Sequence, residues 1–453
     1  MSVAPARRAA LTVLRRVRER GAFGPETLDA VLRAGGLSSQ DTALATRLTY
    51  GTLQTLGTLD EALEPLLTHP GAVEPEVRDA LRLAAYEILF ARTPARAAVN
   101  EGVEAVKGVR KQAAGMANAV LRRLAGSAPS FPWGDPDTDD DALARATAHP
   151  RWIVDLWIRE LGHELAAEAL RADLEPAPLY LWHVPFRGTI VEALDTLSAD
   201  GAEPITDVMA GCIRAGNAQA AVRGRAVGEG RVLVTDAAAQ LAALACGAHP
   251  GGVVLDVAAG RGTKTVQLQA LAVAAGEAAA VYAVDLHRFK MDVVSRRMRD
   301  LGVPGVKTLV GDATDLAAVE GLPAPGTADA VLLDAPCTGL GSLRRRPEKR
   351  WRVTAEDGTR LAALQGRMLS EAASLVSVGG RVVYSTCTVS RTENHDVVAT
   401  FLEQESGAFA TEDIAVVVPQ EWRDDVGPEG WFQSVPRPGG PDGHFVAALT
   451  RVT

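Results

Sequence analysis

Val331-Leu332-Leu333-Asp334-Ala335-Pro336-Cys337-Thr338-Gly339-Leu340-Gly341 is an apolar run that breaks into a polar turn carrying a cysteine, and Val382-Val383-Tyr384-Ser385-Thr386-Cys387-Thr388 repeats the design further along. Unbroken apolar runs of this length fit strands of a parallel sheet covered on both faces. In such sheets, ligands and chemistry gather at the carboxyl ends of the strands, so the two thiols are predicted to face one substrate.

Working outward, strand-like runs at Val253–Val257, Val281–Asp285, Lys307–Gly311, Ala330–Asp334, Arg381–Thr386 and His444–Leu449 alternate with helical segments over most of residues 231–453. That alternation predicts a doubly wound α/β sheet. Residues 6–125 read differently. Ala10, Val13, Leu14 and Val17 recur at helical spacing, as do Leu56, Leu59, Leu63 and Leu66, and then Leu81, Ala84, Ala85, Ile88 and Leu89, which predicts an all-α domain over 1–126. Pro, Gly and the acidic run Asp137–Asp141 mark 127–148 as a linker. Residues 149–230, with a strand at Leu179–Val184 and a helix at Thr189–Asp200, are predicted to form a small α+β unit. A multidomain chain is what 453 residues require.

Composition narrows the classes. With 47% hydrophobic and 23% charged residues the chain is an ordinary globular protein. Its uncharged stretch Ala237–Leu255 is interrupted by Gln240 and His249-Pro250-Gly251-Gly252, so no membrane span is expected. Arginines run through the first twenty residues where a signal peptide would have an apolar core, making the cytoplasm the expected location. A net charge of −9 disfavours a generally basic nucleic-acid binder, yet residues 1–125 hold 17 Lys and Arg against 13 Asp and Glu, while the remainder holds 30 against 43. A polyanion surface must therefore be local. The four cysteines lack metal-ligand spacing, and no metal is expected; Cys212 and Cys246 read as small buried thiols.

After the first strand of the α/β region comes Ala258-Ala259-Gly260-Arg261-Gly262-Thr263-Lys264-Thr265, small residues opening a helix. It matches neither the phosphate-binding nor the dinucleotide glycine pattern. Asp285 ends the next strand, where a carboxylate accepts ribose hydroxyls, and Asp312 follows the third, within reach of an adenine amino group. Acids without a phosphate-binding cation cluster suit an unphosphorylated nucleoside such as S-adenosyl-L-methionine.

The thiols suggest what such a cofactor would serve. Carbon 5 of cytosine is a weak nucleophile until a thiolate adds at carbon 6, and a second base or thiol is then useful for release. Asp334 is placed to hydrogen-bond the ring. On these residues alone, two inert buried thiols remain an equal reading.

Asp334-Ala335-Pro336-Cys337-Thr338-Gly339-Leu340-Gly341, then Arg344-Arg345-Arg346-Pro347-Glu348-Lys349-Arg350-Trp351, and later Tyr384-Ser385-Thr386-Cys387-Thr388 with Glu393-Asn394, resemble the Sun (Nol/Nop/Sun) family of RNA cytosine-5 methyltransferases. Arg47-Leu48-Thr49-Tyr50-Gly51, Ala98-Val99-Asn100-Glu101 and Asn118-Ala119-Val120-Leu121-Arg122-Arg123 are similar to the NusB-like RNA-binding domain, which together points to the bacterial ribosomal branch, the RsmB or Fmu type. The resemblance implies a NusB-like all-α domain, a small α+β unit and a Rossmann-like class I methyltransferase sheet. It implies Cys387 as nucleophile, Cys337 as release partner, and cofactor contacts at Ala258, Ala259, Gly260, Arg261, Gly262, Thr263, Lys264, Asp285, Asp312 and Asp334. The substrate it implies is a cytosine of 16S rRNA, position 967 being expected; the base must be single-stranded or flipped because carbon 6 is inaccessible in a stacked helix, and a monomer is the default expectation. The run Arg344, Arg345, Arg346, Lys349, Arg350 and Arg352 then becomes a candidate for RNA phosphates.

The chain departs from that family at the cofactor loop. Ala258, Gly260, Arg261 and Thr263 replace cysteine, alanine, proline and glycine, which also fits a non-catalytic RNA-binding or antitermination-type factor. Near the end, His444 stands where an aromatic is usual and is expected to affect packing only.

Overall fold

The computed structural model describes residues 3–206 and 208–453, and its chain divides into two compact units, Met1–Pro176 with Leu343–Val353, and Ala177–Ser342 with Thr354–Thr453. The first unit is helical. Apolar residues at the predicted spacings bury Ala10, Val13, Leu14 and Val17 of the helix Pro5–Arg20, and Leu81, Ala84, Ala85 and Ile88 of the helix Pro75–Leu89. Arginines of this region are partly committed inside the unit. Arg7 grips Glu87 through Nε and Nη2 at 3.0 and 2.7 Å, and Arg18 reaches Asp79 at 3.0 Å.

The expected linker at 127–148 is instead part of this unit. Asp139 caps the helix Asp140–Thr147, its carboxylate accepting the Asp141 and Ala142 amides, and the helices Arg151–Leu161 and His163–Ala172 follow. The acidic run that read as a solvated loop is a cap and first turn, where negative charge is favourable. Residues 149–176 accordingly belong to the helical unit and not to the α+β unit assigned to 149–230.

Leu343–Val353 also belongs to the helical unit, although Ser342 and Thr354 on either side belong to the other. Arg350 is fully buried, its guanidinium donating to the carbonyls of Ala148 (3.0 Å), Asp173 (3.3 Å) and Thr147 (3.4 Å). Trp351 donates to the Gln54 carbonyl at 3.0 Å and lies so close to Gly57 that a Cβ there would stand 2.2 Å from the ring. Arg352 donates to the Val17 and Gly21 carbonyls, satisfying the end of the first helix.

The second unit holds two sheets. Four short strands, β1 (Leu179–His183), β2 (Pro204–Ile205), β3 (Cys212–Ala215) and β4 (Val232–Val234), pair antiparallel in the order β2-β3-β1-β4. With helices at Ile190–Ala199 and Ala218–Arg223 this is a split βαβ arrangement of the ferredoxin-like kind. Leu179, Leu181 and Ile213 face its helices, while Tyr180 and Cys212, from the opposite face, pack with Ala237, Met209 and Trp422. That opposite face is covered, so its aromatics are core residues.

The larger sheet runs β10 (Phe409–Glu412), β12 (Phe445–Arg451), β9 (Val376–Thr386), β8 (Ala328–Asp334), β5 (Val253–Val257), β6 (Ala280–Asp285) and β7 (Val306–Val310), with β11 (Phe432–Gln433) pairing β12. β5 to β9 are parallel, and β10 to β12 add an antiparallel edge. The six predicted strands are present; β10 and β11, two to four residues long, carry too few positions for a period to register. Alternation along the strands splits the core. Leu255, Val331, Leu333, Val382 and Tyr384 pack on Met368, Leu369 and Phe401, while Val254, Leu332 and Val383 pack on Leu241 and Leu268. Among the described residues no helix is long and apolar enough to cross a membrane.

Candidate active site

β8 and β9 are neighbours in parallel register, with Asp334 opposite Ser385, so their carboxyl ends deliver both cysteine turns to one place. The sulfurs of Cys337 and Cys387 stand 3.4 Å apart, and both side chains are partly exposed. Gly341 donates its amide to the Cys387 carbonyl at 3.0 Å and accepts from the Gly443 amide at 2.8 Å. A Cβ at Gly341 would stand 2.1 Å from the Gly443 carbonyl oxygen, so the backbones meet only because both are glycine.

Asp334 ends β8 with its carboxylate against the Lys264 ammonium at 2.7 Å. Burial opposes the charge of Lys264, but Asp334, Asp256 and Cys387 together hold its pKa above the ordinary lysine value. Lys264 is thus held as a cation by the charges of Asp334 and Asp256, with the Cys387 sulfur near enough to contribute. On the far side of Asp334, the Ser385 hydroxyl is 3.5 Å from one carboxylate oxygen and 2.8 Å from Nε2 of His444. His444 is buried, and burial, with the nearby Lys264 charge, depresses its pKa to about 4. It is therefore neutral and hydrogen-bonded near the site, more than the packing side chain that sequence suggested.

The cofactor loop leaves β5 through left-handed residues Ala258, Gly260 and Gly262, with φ of +61°, +60° and +76°. Ala258 adopts this conformation despite its Cβ, which costs about 1 kcal/mol. A Cβ at Gly262 would come within 2.9 Å of Val294, so glycine there lets two helices approach. Gly262 leads into the helix Thr263–Ala274; Thr263 accepts from Arg297 at 3.1 Å, and burial with the adjacent Arg261 charge lowers the Arg297 pKa. Ala259 donates to the Val284 carbonyl at 2.9 Å, tying the loop to β6.

Asp285 accepts from the Gly260 amide (3.1 Å), the His287 amide (3.0 Å) and Lys290 (3.1 Å). Asp312 is exposed and accepts the amide and hydroxyl of Thr314 at 2.9 and 2.8 Å. Asp312 therefore braces its own turn, while Asp285 ties its turn to the cofactor loop at Gly260. Asp256 lies inside β5, fully buried and bonded to the Thr265 hydroxyl, and burial pushes its pKa up to about 7. Its other oxygen has no partner, so Asp256 is a buried acid inside the strand.

The proposed RNA run does not form one surface. Arg350 and Arg344 are buried, and Arg350 serves backbone carbonyls of the helical unit. Arg352 is exposed but engaged with helix-end carbonyls, and Arg346 lies 5.7 Å over the Phe23 ring. Arg345 and Lys349 are half-buried. A cation run reads the same in sequence whether it meets water, phosphate or carbonyls.

Sequence reasoning gave no role to Glu393, Gln365 or Asn394. Asn394 accepts from the Thr386 hydroxyl at 2.6 Å and donates to the Thr388 carbonyl at 2.9 Å, bracketing Cys387. The Glu393-Asn394 pair is visible as a motif, but its partners lie far apart in sequence.

A NusB family model matches residues 4–126, and a model described as 16S rRNA methyltransferase RsmB/F matches residues 243–450. The Thermus thermophilus ribosomal RNA small subunit methyltransferase B is 34% identical over 461 residues, covering 98% of each chain. A Bacillus subtilis protein described as probable ribosomal RNA small subunit methyltransferase B is 32% identical over 454 residues, again covering 98% of each. The crystal structure of PH0851 has the same fold, with a TM-score of 0.82 at 23% identity and full coverage of both chains.

Proposed function

The chain belongs to the RsmB/F family of 16S rRNA methyltransferases, and from that premise we propose that it methylates carbon 5 of a cytosine through a covalent bond between Cys387 and carbon 6. The observation that carries this reading is the pair of thiols 3.4 Å apart, one of them beside Asp334, at the ends of adjacent strands. The Cys387 thiolate adds to carbon 6 and moves the ring electron pair to carbon 5. Asp334 holds the base edge, and the Lys264 ammonium, donating to that carboxylate at 2.7 Å, fixes its position. After carbon 5 is methylated, Cys337 takes the carbon 5 proton, that electron pair restores the ring double bond, and Cys387 leaves as thiolate.

S-adenosylmethionine supplies the methyl group when bound. The loop Ala258–Lys264 would hold it with Asp285 and Asp312, and the left-handed backbone at Gly260, where a built Cβ meets nothing nearer than 3.9 Å, leaves room beside the loop. The altered residues of that loop keep its turns and its lysine, which supports a working site over a decayed one. The substrate base must be unpaired or flipped for carbon 6 to be reached. We place the protein in the cytoplasm as a monomer acting on 16S rRNA.

Incubation of Cys387→Ala with 16S rRNA and labelled cofactor should give no methyl transfer, and Cys337→Ala should accumulate a denaturant-resistant protein–RNA adduct. Full turnover by Cys387→Ala, or label on an atom other than carbon 5, overturns the reading.

A further inference from the structure

Two turns that leave neighbouring strands have no fixed spacing unless something ties them together, and proton removal by one thiol from a base held by the other tolerates little misplacement. Each cysteine here is followed by a threonine, and the hydroxyls of Thr338 and Thr388 are 2.9 Å apart. Glu393 is fully buried beneath them. One carboxylate oxygen accepts the Thr338 amide at 2.8 Å and Gln365 Nε2 at 3.2 Å; the other accepts the Thr338 hydroxyl and lies 3.4 Å from that of Thr388. Gln365, on the helix Ala355–Ser374, also donates to the Pro336 carbonyl at 2.9 Å. The Glu393 carbonyl accepts the buried Tyr384 hydroxyl at 2.6 Å, which fixes the acid from behind.

This network is lopsided. The Cys387 turn has a second anchor in Asn394, which bonds on both sides of the cysteine, while the Gly341 amide ties the two turns to each other. The amide and hydroxyl of the residue after Cys337 both end on Glu393. We propose that Glu393 is a positioning residue that sets the spacing of the two thiols, and that it does so chiefly by placing Cys337 for the release half of the reaction. The proposal rests on the cytosine-5 reading above. Burial raises the Glu393 pKa and the donors around it oppose that rise, so the geometry suits an anion on which three donors, the Thr338 amide, the Thr338 hydroxyl and Gln365, converge. An amide in its place turns one acceptor into a donor facing donors.

The test is Glu393→Gln in the full chain under single-turnover and steady-state conditions with 16S rRNA. Methyl transfer in the first turnover should slow by no more than about threefold, turnover should fall about tenfold or more, and an adduct carrying the methyl group should survive denaturant. Glu393→Asp, which keeps the charge, should recover part of the turnover. Equal loss of the first turnover and of steady-state rate without adduct, or unchanged turnover, overturns the proposal. Should Glu393→Gln not fold, Thr338→Val removes one arm of the same network and is expected to accumulate the same adduct; its absence overturns the proposal equally. Cys337→Ala separates the two ideas. If it traps no adduct, the covalent reading itself fails; if it traps one and neither variant does, only the role of Glu393 fails.

Discussion

Cys337 Sγ and Cys387 Sγ are held 3.4 Å apart by backbone and side-chain bonds that do not involve the sulfurs themselves. The spacing serves an attack and a release on one base, and it also leaves the thiols close enough to react with each other.

Mild oxidation should therefore join them. Hydrogen peroxide would take two electrons and two protons from the pair, forming one disulfide and two waters. Peptide mapping should find a Cys337–Cys387 link, with activity lost in step and restored by dithiothreitol. Oxidised protein that keeps full activity with the link in place contradicts the site.

Lys264→Met should leave Asp334 at the strand end without its ammonium partner. Because Asp334 keeps about a third of its side-chain exposure, the stability cost is set at about 2 kcal/mol, below the range for a fully buried pair. The larger effect should be on methyl transfer, read in the same preparation as a loss greater than the drop in folded fraction at the assay temperature.

His444 gives a pH signature. Its folded pKa of about 4 lies below the unfolded value of 6.5, so between those values the unfolded chain binds the extra proton and stability falls as pH falls. Relative to His444→Phe, the wild-type chain should lose about 2 kcal/mol of stability between pH 6.5 and about 5. Urea unfolding of both chains across that window checks it; parallel curves would mean that His444 titrates as it does in water.

Arg350→Met should destabilise the helical unit by about 3 kcal/mol, because the Thr147, Ala148 and Asp173 carbonyls lose a buried donor. Arg346→Ala, at an exposed position over Phe23, should cost under about 1 kcal/mol. Denaturation midpoints of the two variants distinguish a buried structural cation from a surface one within the same run.

What was legible in the sequence follows from what repeats. Helical spacing in residues 6–125 and apolar runs at six strands are local patterns, and both survive in the fold. The strand-end placement of Asp334, Cys337 and Cys387 followed from sheet topology, which carries such residues to one edge whatever lies between them. Long-range partnerships were not legible. Nothing local ties Glu393 to Thr338, Arg350 to Ala148 or His444 to Ser385, and the Asp137–Asp141 run is acidic whether it frays or caps a helix.

Arg350 lies 177 residues from Asp173 and 203 from Thr147 along the chain. During synthesis the N-terminal helices emerge first, but the guanidinium that donates to the Thr147, Ala148 and Asp173 carbonyls emerges only after β5 to β8 have been made. Birth order and completion order are thus opposed: the part made earliest is finished late. A nascent chain stalled before residue 350 would carry a helical unit whose Thr147 and Ala148 carbonyls lack that donor, and should open there more readily than the finished chain.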